Sequence, residues 1–192
     1  MTRVNSTDAE RESVMSVARL MAVAARTAPK ARGVDAIDTL IVEGQDLEAL
    51  ANAMDGCASG RPAIVEAAFH RDADNVRNST CAILLSVTGA PKKPENPFDC
   101  GACGFSTCEA LIKARAHSSG GKDFFGPVCV YASLDLGVAL GSAVKIASSH
   151  NIDNRMMYTM GVAAATLNWM KGDVILGIPL SSSGKNMYFD RG

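Results

Sequence analysis

Three cysteines crowded into nine residues constrain this chain more than any other feature. Cys100-Gly-Ala-Cys103-Gly-Phe-Ser-Thr-Cys108 is a C-x2-C-x4-C run, and Cys129 follows after twenty further residues. Four thiolates can hold a cubic iron–sulfur cluster, and thiolates are the ligands such clusters demand. A two-residue gap lets one tight turn aim two sulfurs at a common centre. Gly101 and Gly104, each following a cysteine, can take left-handed dihedrals and leave backbone N–H groups to face cluster sulfurs. Such hydrogen bonds help set a reduction potential. Cys108 then starts a helix, whose N-terminal dipole favours a net negative group. Structural zinc also takes four cysteines, but usually as two short-spaced pairs, and Cys108 with Cys129 makes no second pair. The plant-type run of two-iron ferredoxins is C-x4-C-x2-C, the reverse order. A [4Fe–4S] cluster is one reading that the spacing allows. Zinc, a [2Fe–2S] cluster and unligated thiols are the alternatives. The other two cysteines, Cys57 and Cys81, read as small buried hydrophobes at a helix end and in an apolar strand.

The remaining composition narrows the function classes. The chain has 192 residues with 19 Lys+Arg against 20 Asp+Glu, a formal net charge of −1. Near-neutral charge argues against a nucleic-acid binder, which needs a basic face. Apolar residues at 47% and charged residues at 20% fit an ordinary globular chain of one domain. Met1 to Glu12 is polar and acidic, unlike a signal peptide. No uninterrupted apolar run reaches about 18 residues, so no membrane span is expected. A cytoplasmic location follows, where cysteines serve as metal ligands or redox groups rather than disulfides.

Periodicity gives the elements. Thr7-x-x-Glu10 is a capping box, after which Val14, Val17, Ala18, Met21 and Ala25 share one helix face until Pro29. Ala36 to Val42 reads as a strand. Leu47, Leu50, Ala51 and Met54 mark a helix stopped near Gly56, and Pro62 opens another through Ala68. Cys81 to Val87 is a buried strand. Gly89 to Pro97, with three prolines, is a loop or the boundary of an insert. Helices follow from Cys108 to about Ala116, Ser133 to Ser149 and Asn154 to Trp169. Asp173 to Leu180 is a last strand, before a polar tail from Ser181 to Gly192. The class is α+β.

With those residues in view, Asp99 to Phe105 and Thr107-Cys108 resemble the four-cysteine iron–sulfur module of carbon monoxide dehydrogenase/acetyl-CoA synthase subunits and related anaerobic redox proteins. That module has a fourth cysteine downstream, which makes Cys129 the fourth ligand beside Cys100, Cys103 and Cys108. Gly126-Pro127 supplies a turn just before it. The whole chain resembles the uncharacterised ferredoxin domain-containing proteins of anaerobic bacteria and archaea. The resemblance runs through Ala24 to Gly33, Asp135 to Ala147, Asp153-Asn154-Arg155, Gly177-Ile178-Pro179-Leu180 and Gly184 to Arg191. A more distant similarity is to nitroreductases, flavin-binding α+β homodimers. It implies an antiparallel or mixed sheet flanked by helices over residues 1–192, with an iron–sulfur-binding insert at 90–130. It also implies flavin mononucleotide along Ala28, Pro29, Lys30 and Gly33, with Arg11, Arg19, Arg26 and Arg32 as the basic residues on offer for its phosphate. The implied function is electron transfer, as a small oxidoreductase or as a carrier for a redox partner protein, in a homodimer built on the helices Ser133 to Ser149 and Asn154 to Trp169. No catalytic residue is named by the resemblance.

Other features read blandly. Gly177 to Lys185 ends in Gly-Lys but has the wrong glycine spacing for a phosphate loop, and Asn186 stands where Ser or Thr would hold magnesium. Ser181 to Lys185 remains a candidate anion loop. Gly137-x-x-x-Gly141 suits close helix packing. Met156, Met157 and Met160 suit core or dimer packing. His70, His117 and His150 have no Cys or acidic partner in motif spacing, and no hydrolase pattern is present.

Overall fold

The computed structural model describes residues 3–189. Its centre is a four-stranded sheet: β1 Ile37–Glu43, β2 Cys81–Val87, β3 Asp153–Asn154 and β4 Val174–Ser181, in the order β1-β2-β4-β3. Every pairing is antiparallel, with Ile41 opposite Ile83 and Leu84 opposite Gly177. All seven residues of β2 are buried, because helices cover both faces. Alternation along β2 divides the core. Cys81, Ile83, Leu85 and Val87 face α1 (Ser6–Thr27) and α5 (Val130–Ser149). Ala82 and Leu84 face α2 (Gln45–Ala58), α3 (Ala63–Arg77) and α6 (Tyr158–Thr166). The remaining helix, α4 (Cys108–Ala116), lies in the long connection between β2 and α5 and buries only Leu111 completely.

The expected apolar faces of the first two helices are the buried ones: Val14, Val17, Ala18, Met21 and Ala25 in α1, and Leu47, Leu50, Ala51 and Met54 in α2. Several boundaries differ from expectation. The N-cap of α1 is Asn5 rather than Thr7, because the Asn5 carboxamide oxygen accepts the Asp8 N–H at 2.9 Å. α2 continues through Gly56 to Ala58, which is fully buried. α3 runs on to Arg77 because Phe69, Ala73 and Val76 keep the apolar step going, and buried Asp72 is satisfied by the Thr159 hydroxyl at 2.9 Å and by Arg71. α5 begins three residues earlier than expected. α6 is short: Asp153–Asn154 is recruited as β3 against Ser181 and Leu180, and Asn168 takes a positive φ of 56° beyond the helix.

Asp135 and Lys145 interrupt the apolar run of α5, yet the helix is long and apolar enough to cross a membrane by length and composition alone. Its apolarity reflects small residues that let it lie close to α1 and the sheet, with Ala132, Ala139, Ala143 and Ala147 buried. Asp190 and Arg191 of the resembling C-terminal stretch lie outside the described residues.

Candidate metal centre

The cysteine run is shaped by local backbone chemistry. The Gly104 N–H closes a turn on the Gly101 carbonyl at 2.9 Å, with Cys103 inside it. Gly101 and Gly104 have φ of 72° and 86°, the left-handed region expected of them. The Gly104 N–H is thus spent on the turn and is not left for a bound group. Asp99, itself at φ 46°, turns its carboxylate onto the Cys108 N–H at 2.6 Å. Thr107 is the N-cap of α4, its hydroxyl accepting the Ala110 N–H at 3.1 Å. Cys108 therefore occupies the first position of α4.

Cys129 arrives from the other side of the same connection. It is the N-cap of α5, and its N–H donates to the Gly89 carbonyl at 2.8 Å, tying the helix start to the end of β2. Gly89 in turn donates to Asp173 at 2.6 Å, and Arg115 binds both Asp173 and the Pro127 carbonyl. A Cβ on Gly89 would come within 2.9 Å of Val128, so the close approach beside Cys129 requires glycine.

Cys100, Cys103, Cys108 and Cys129 line one cavity, together with Phe98, Phe105, Leu111 and Tyr131. Exposure is graded: Cys100 is exposed, Cys103 and Cys108 are half-buried, and Cys129 is 8% exposed. Two helix N-termini, those of α4 and α5, bring a cysteine each to this cavity, and both favour negative charge there. Among the described residues no three His, Cys, Asp or Glu side chains converge closely enough to share one metal ion. A mononuclear ion needs every sulfur within about 2.3 Å of one point. A cluster gives each thiolate its own iron, so its ligands ring a volume. The four thiols are lining residues of one largely apolar cavity, the kind of donor set a cluster takes.

The other two cysteines do not line this cavity. Cys81 is fully buried in β2, and burial pushes its thiol up to about 12. Cys57 lies 3.5 Å from the Thr166 hydroxyl.

The loop after α1 meets the cavity through Ala31 and Arg32. Of the flavin-loop residues, Ala28 is buried at the end of α1, Pro29 and Gly33 are exposed, and Gly33 has φ 67°. The Lys30 ammonium donates to the carbonyls of Ala25, Arg26 and Ala28 at 2.8, 3.2 and 2.7 Å and lies 3.8 Å from Asp35. It thereby caps the α1 C-terminus, and burial lowers its pKa from the usual lysine value. Arg26 binds Asp35 at 2.6 Å, and the Arg32 guanidinium stacks 4.5 Å from the Phe98 ring centre. His70 does have acidic partners: Asp55 at 2.6 Å, brought to it by helix packing, and Glu66 at 4.0 Å, one turn earlier on its own helix.

Sequence reasoning missed Lys92, which lines the cavity, and Asp135, its partner in a buried ion pair. Lys92 carries no signal within its proline-rich loop. Asp135 did carry one: it and Lys145 are the only charged residues in α5.

A family described as uncharacterized proteins containing a ferredoxin domain matches residues 125–191. That span includes Cys129 and omits the cysteine triplet. An uncharacterized protein of Archaeoglobus fulgidus is 41% identical over 188 residues, covering 98% of this chain and 97% of its own. Among solved structures, a nitroreductase with bound FMN from Desulfitobacterium hafniense aligns with a TM-score of 0.55 at 14% identity, over 88% of this chain and 78% of that one. An NADPH:FMN oxidoreductase from Vibrio harveyi aligns at 0.52 and 10% identity, over 89% of this chain and 60% of its own. The chain thus spans about three fifths of the length of that oxidoreductase. At these identities the likeness shows the fold: a nitroreductase-like α+β architecture.

Proposed function

Because the chain belongs to the family of uncharacterized proteins containing a ferredoxin domain, we propose that it is an iron–sulfur redox protein that holds a [4Fe–4S] cluster on Cys100, Cys103, Cys108 and Cys129. The observation that carries this reading is the single cavity lined by all four thiols. When bound, the cluster supplies one-electron transfer, accepting an electron from a donor and passing it to an acceptor. The protein's own groups hold and insulate it. Buried Leu111 with half-buried Phe105 and Tyr131 keeps water from the inner side, while exposed Cys100 and Phe98 leave one edge open to a redox partner protein. The segment 90–130 acts as the iron–sulfur-binding insert of a nitroreductase-like scaffold.

Anaerobically purified protein is expected to be brown and to contain iron and acid-labile sulfide. Cys129→Ser should give a three-iron or labile cluster, read by electron paramagnetic resonance and iron content. Cys81→Ser and Cys57→Ser should keep an intact one. Stoichiometric zinc without sulfide after anaerobic reconstitution would overturn the reading, as would a normal four-iron signal in Cys129→Ser.

A second reading adds flavin mononucleotide along Ala28, Pro29, Lys30 and Gly33, making the protein a small reductase. The FMN named with the Desulfitobacterium nitroreductase favours it. Release of a fluorescent flavin on heating the purified protein supports that reading, and a cluster-loaded protein that binds no added FMN refutes it. A homodimer is also proposed, through the outer faces of α1 and α5. There Leu20, Val23, Leu134 and Val138 are 41–58% exposed on two helices that pack together. α6, also expected at the interface, buries Thr159, Met160, Gly161, Val162, Ala163 and Ala164 within the protomer and leaves Tyr158 exposed at its start. Sedimentation as a stable monomer at micromolar concentration would exclude the dimer.

A further inference from the structure

We propose that Lys92 and Asp135 form a charge-balanced pair beside the cluster site, in which each charge offsets the other's effect on the reduction potential of the cluster. The proposal rests on the iron–sulfur reading and assigns a task to two residues outside the ligand set.

The pair is buried, with side chains only 5% and 6% exposed, and its ammonium and carboxylate are in direct contact. Each partner makes one further bond. Lys92 donates to the Val34 carbonyl at 2.6 Å, and Asp135 accepts the Ala31 N–H at 2.9 Å. The pair therefore joins three segments: the loop after α1, the chain entering the cysteine run, and α5 less than two turns beyond Cys129. Lys92 and Ala31 line the cavity with the four cysteines. Burial pushes the Lys92 ammonium down from its ordinary range, while Cys129 is among the groups that raise it.

A buried pair is no reliable source of stability, because desolvation offsets the attraction. Its electrostatic effect on a neighbour is definite in sign. While both charges are present they largely cancel at the cluster. Removing the carboxylate leaves a buried cation, which favours the more negative, reduced cluster. Removing the ammonium leaves a buried anion, which favours the oxidised one. The low dielectric of the site magnifies both effects, and the charge around a cluster is one of the determinants of its potential.

The test is a potentiometric titration followed by electron paramagnetic resonance on anaerobically reconstituted full-length protein. Asp135→Asn retains an oxygen for the Ala31 N–H. It should raise the potential by about tenfold in the one-electron equilibrium constant, about 59 mV. Lys92→Met should lower it by a similar factor. The double variant, with no unpaired charge, should load its cluster and return the potential close to that of the unmodified protein. If a single variant loses the cluster outright, its recovery in the double variant supports the same charge balance. Shifts of the same sign, no shift, or a double variant that loads no cluster overturn the proposal. Absence of iron and sulfide from the unmodified protein would instead refute the iron–sulfur reading itself, so the two failures are distinguishable.

Discussion

Removing the cap of α4 should loosen Cys108 without unfolding the protein. α4 has nine residues, fewer than the roughly 12–15 a helix needs to persist alone. One fully buried side chain, Leu111, anchors it, for about 1.5–3 kcal/mol. Its first turn is held by the Thr107 hydroxyl on the Ala110 N–H and by the Asp99 carboxylate on the Cys108 N–H. Thr107→Ala deletes the first bond, a loss of about 1 kcal/mol. Because α4 lies outside both sheet-facing helix layers, that loss falls on local opening rather than on global unfolding. One kcal/mol corresponds to about a fivefold rise in the open population. Amide hydrogen exchange on metal-free protein should therefore accelerate about fivefold across 111–117 while the β2 amides keep their rates. Asp99→Asn, which keeps an acceptor oxygen and tolerates the positive φ, should have a smaller effect. On loaded protein, Thr107→Ala should speed iron loss by a similar factor. Unchanged exchange in α4, or equal acceleration in β2, would refute this account of how Cys108 is held.

Three further outcomes follow from the packing and the ionisations. Gly161→Ala would place a Cβ 1.7 Å from the Ile175 carbonyl oxygen, forcing α6 off β4. After the helix-propensity gain of about 1 kcal/mol is set against an overpacking cost of about 3 kcal/mol, it should destabilise by about 2 kcal/mol. Gly137→Ala, with nothing within 4 Å, should be neutral or stabilising, and thermal denaturation compares the two. The hydrogen bond from Arg61 is the main cause holding the Asp123 carboxyl below its usual 3.8. Its contribution is therefore fully present above about pH 3.8 and fades as pH falls through the lower folded value. Asp123→Asn should remove this part of acid unfolding, and an unchanged acid transition would count against it. In metal-free native protein, iodoacetamide should modify exposed Cys100 first and Cys81 last, since Cys81 is enclosed and its thiol pushed up to about 12. Peptide mass spectrometry showing early Cys81 labelling would contradict the packing of β2.

What was legible in the sequence was what local periodicity and spacing encode. The stripe from Val14 to Ala25 and the run Cys81–Val87 announce one buried helix face and one strand buried on both faces. The cysteine spacing foretold the start of α4 at Cys108 and the positive φ of Gly101 and Gly104. The misplaced boundaries lie where long-range partners override local signals. α3 passes through Asp72 because Thr159, far along the chain, supplies its hydrogen bond. Asp153 and Asn154 leave a helical pattern because the edge of β4 is open to pair with them. The capping-box pattern pointed to Thr7, but Asn5, two residues earlier, took the role through its side-chain bond to the Asp8 N–H. Cysteine is no preferred cap, so the start of α5 at Cys129 had no residue-type signal.

The same local and long-range division explains how the candidate site is built. The triplet is set almost entirely by its own segment, through the Gly101–Gly104 turn, the Asp99 bond and the Thr107 cap. Cys129 is set by the rest of the fold: by Gly89 at the end of β2, and by Arg115 and Asp173 around Pro127. A local loop carrying three thiols can adjust to its cargo, whereas the fourth thiol is fixed to the core. That asymmetry matches the gradient of exposure, from open Cys100 to enclosed Cys129. It follows that disturbance of the loop should change how readily a cluster enters and leaves. Disturbance of the core contacts around Cys129 should change the environment in which the cluster takes up its electron.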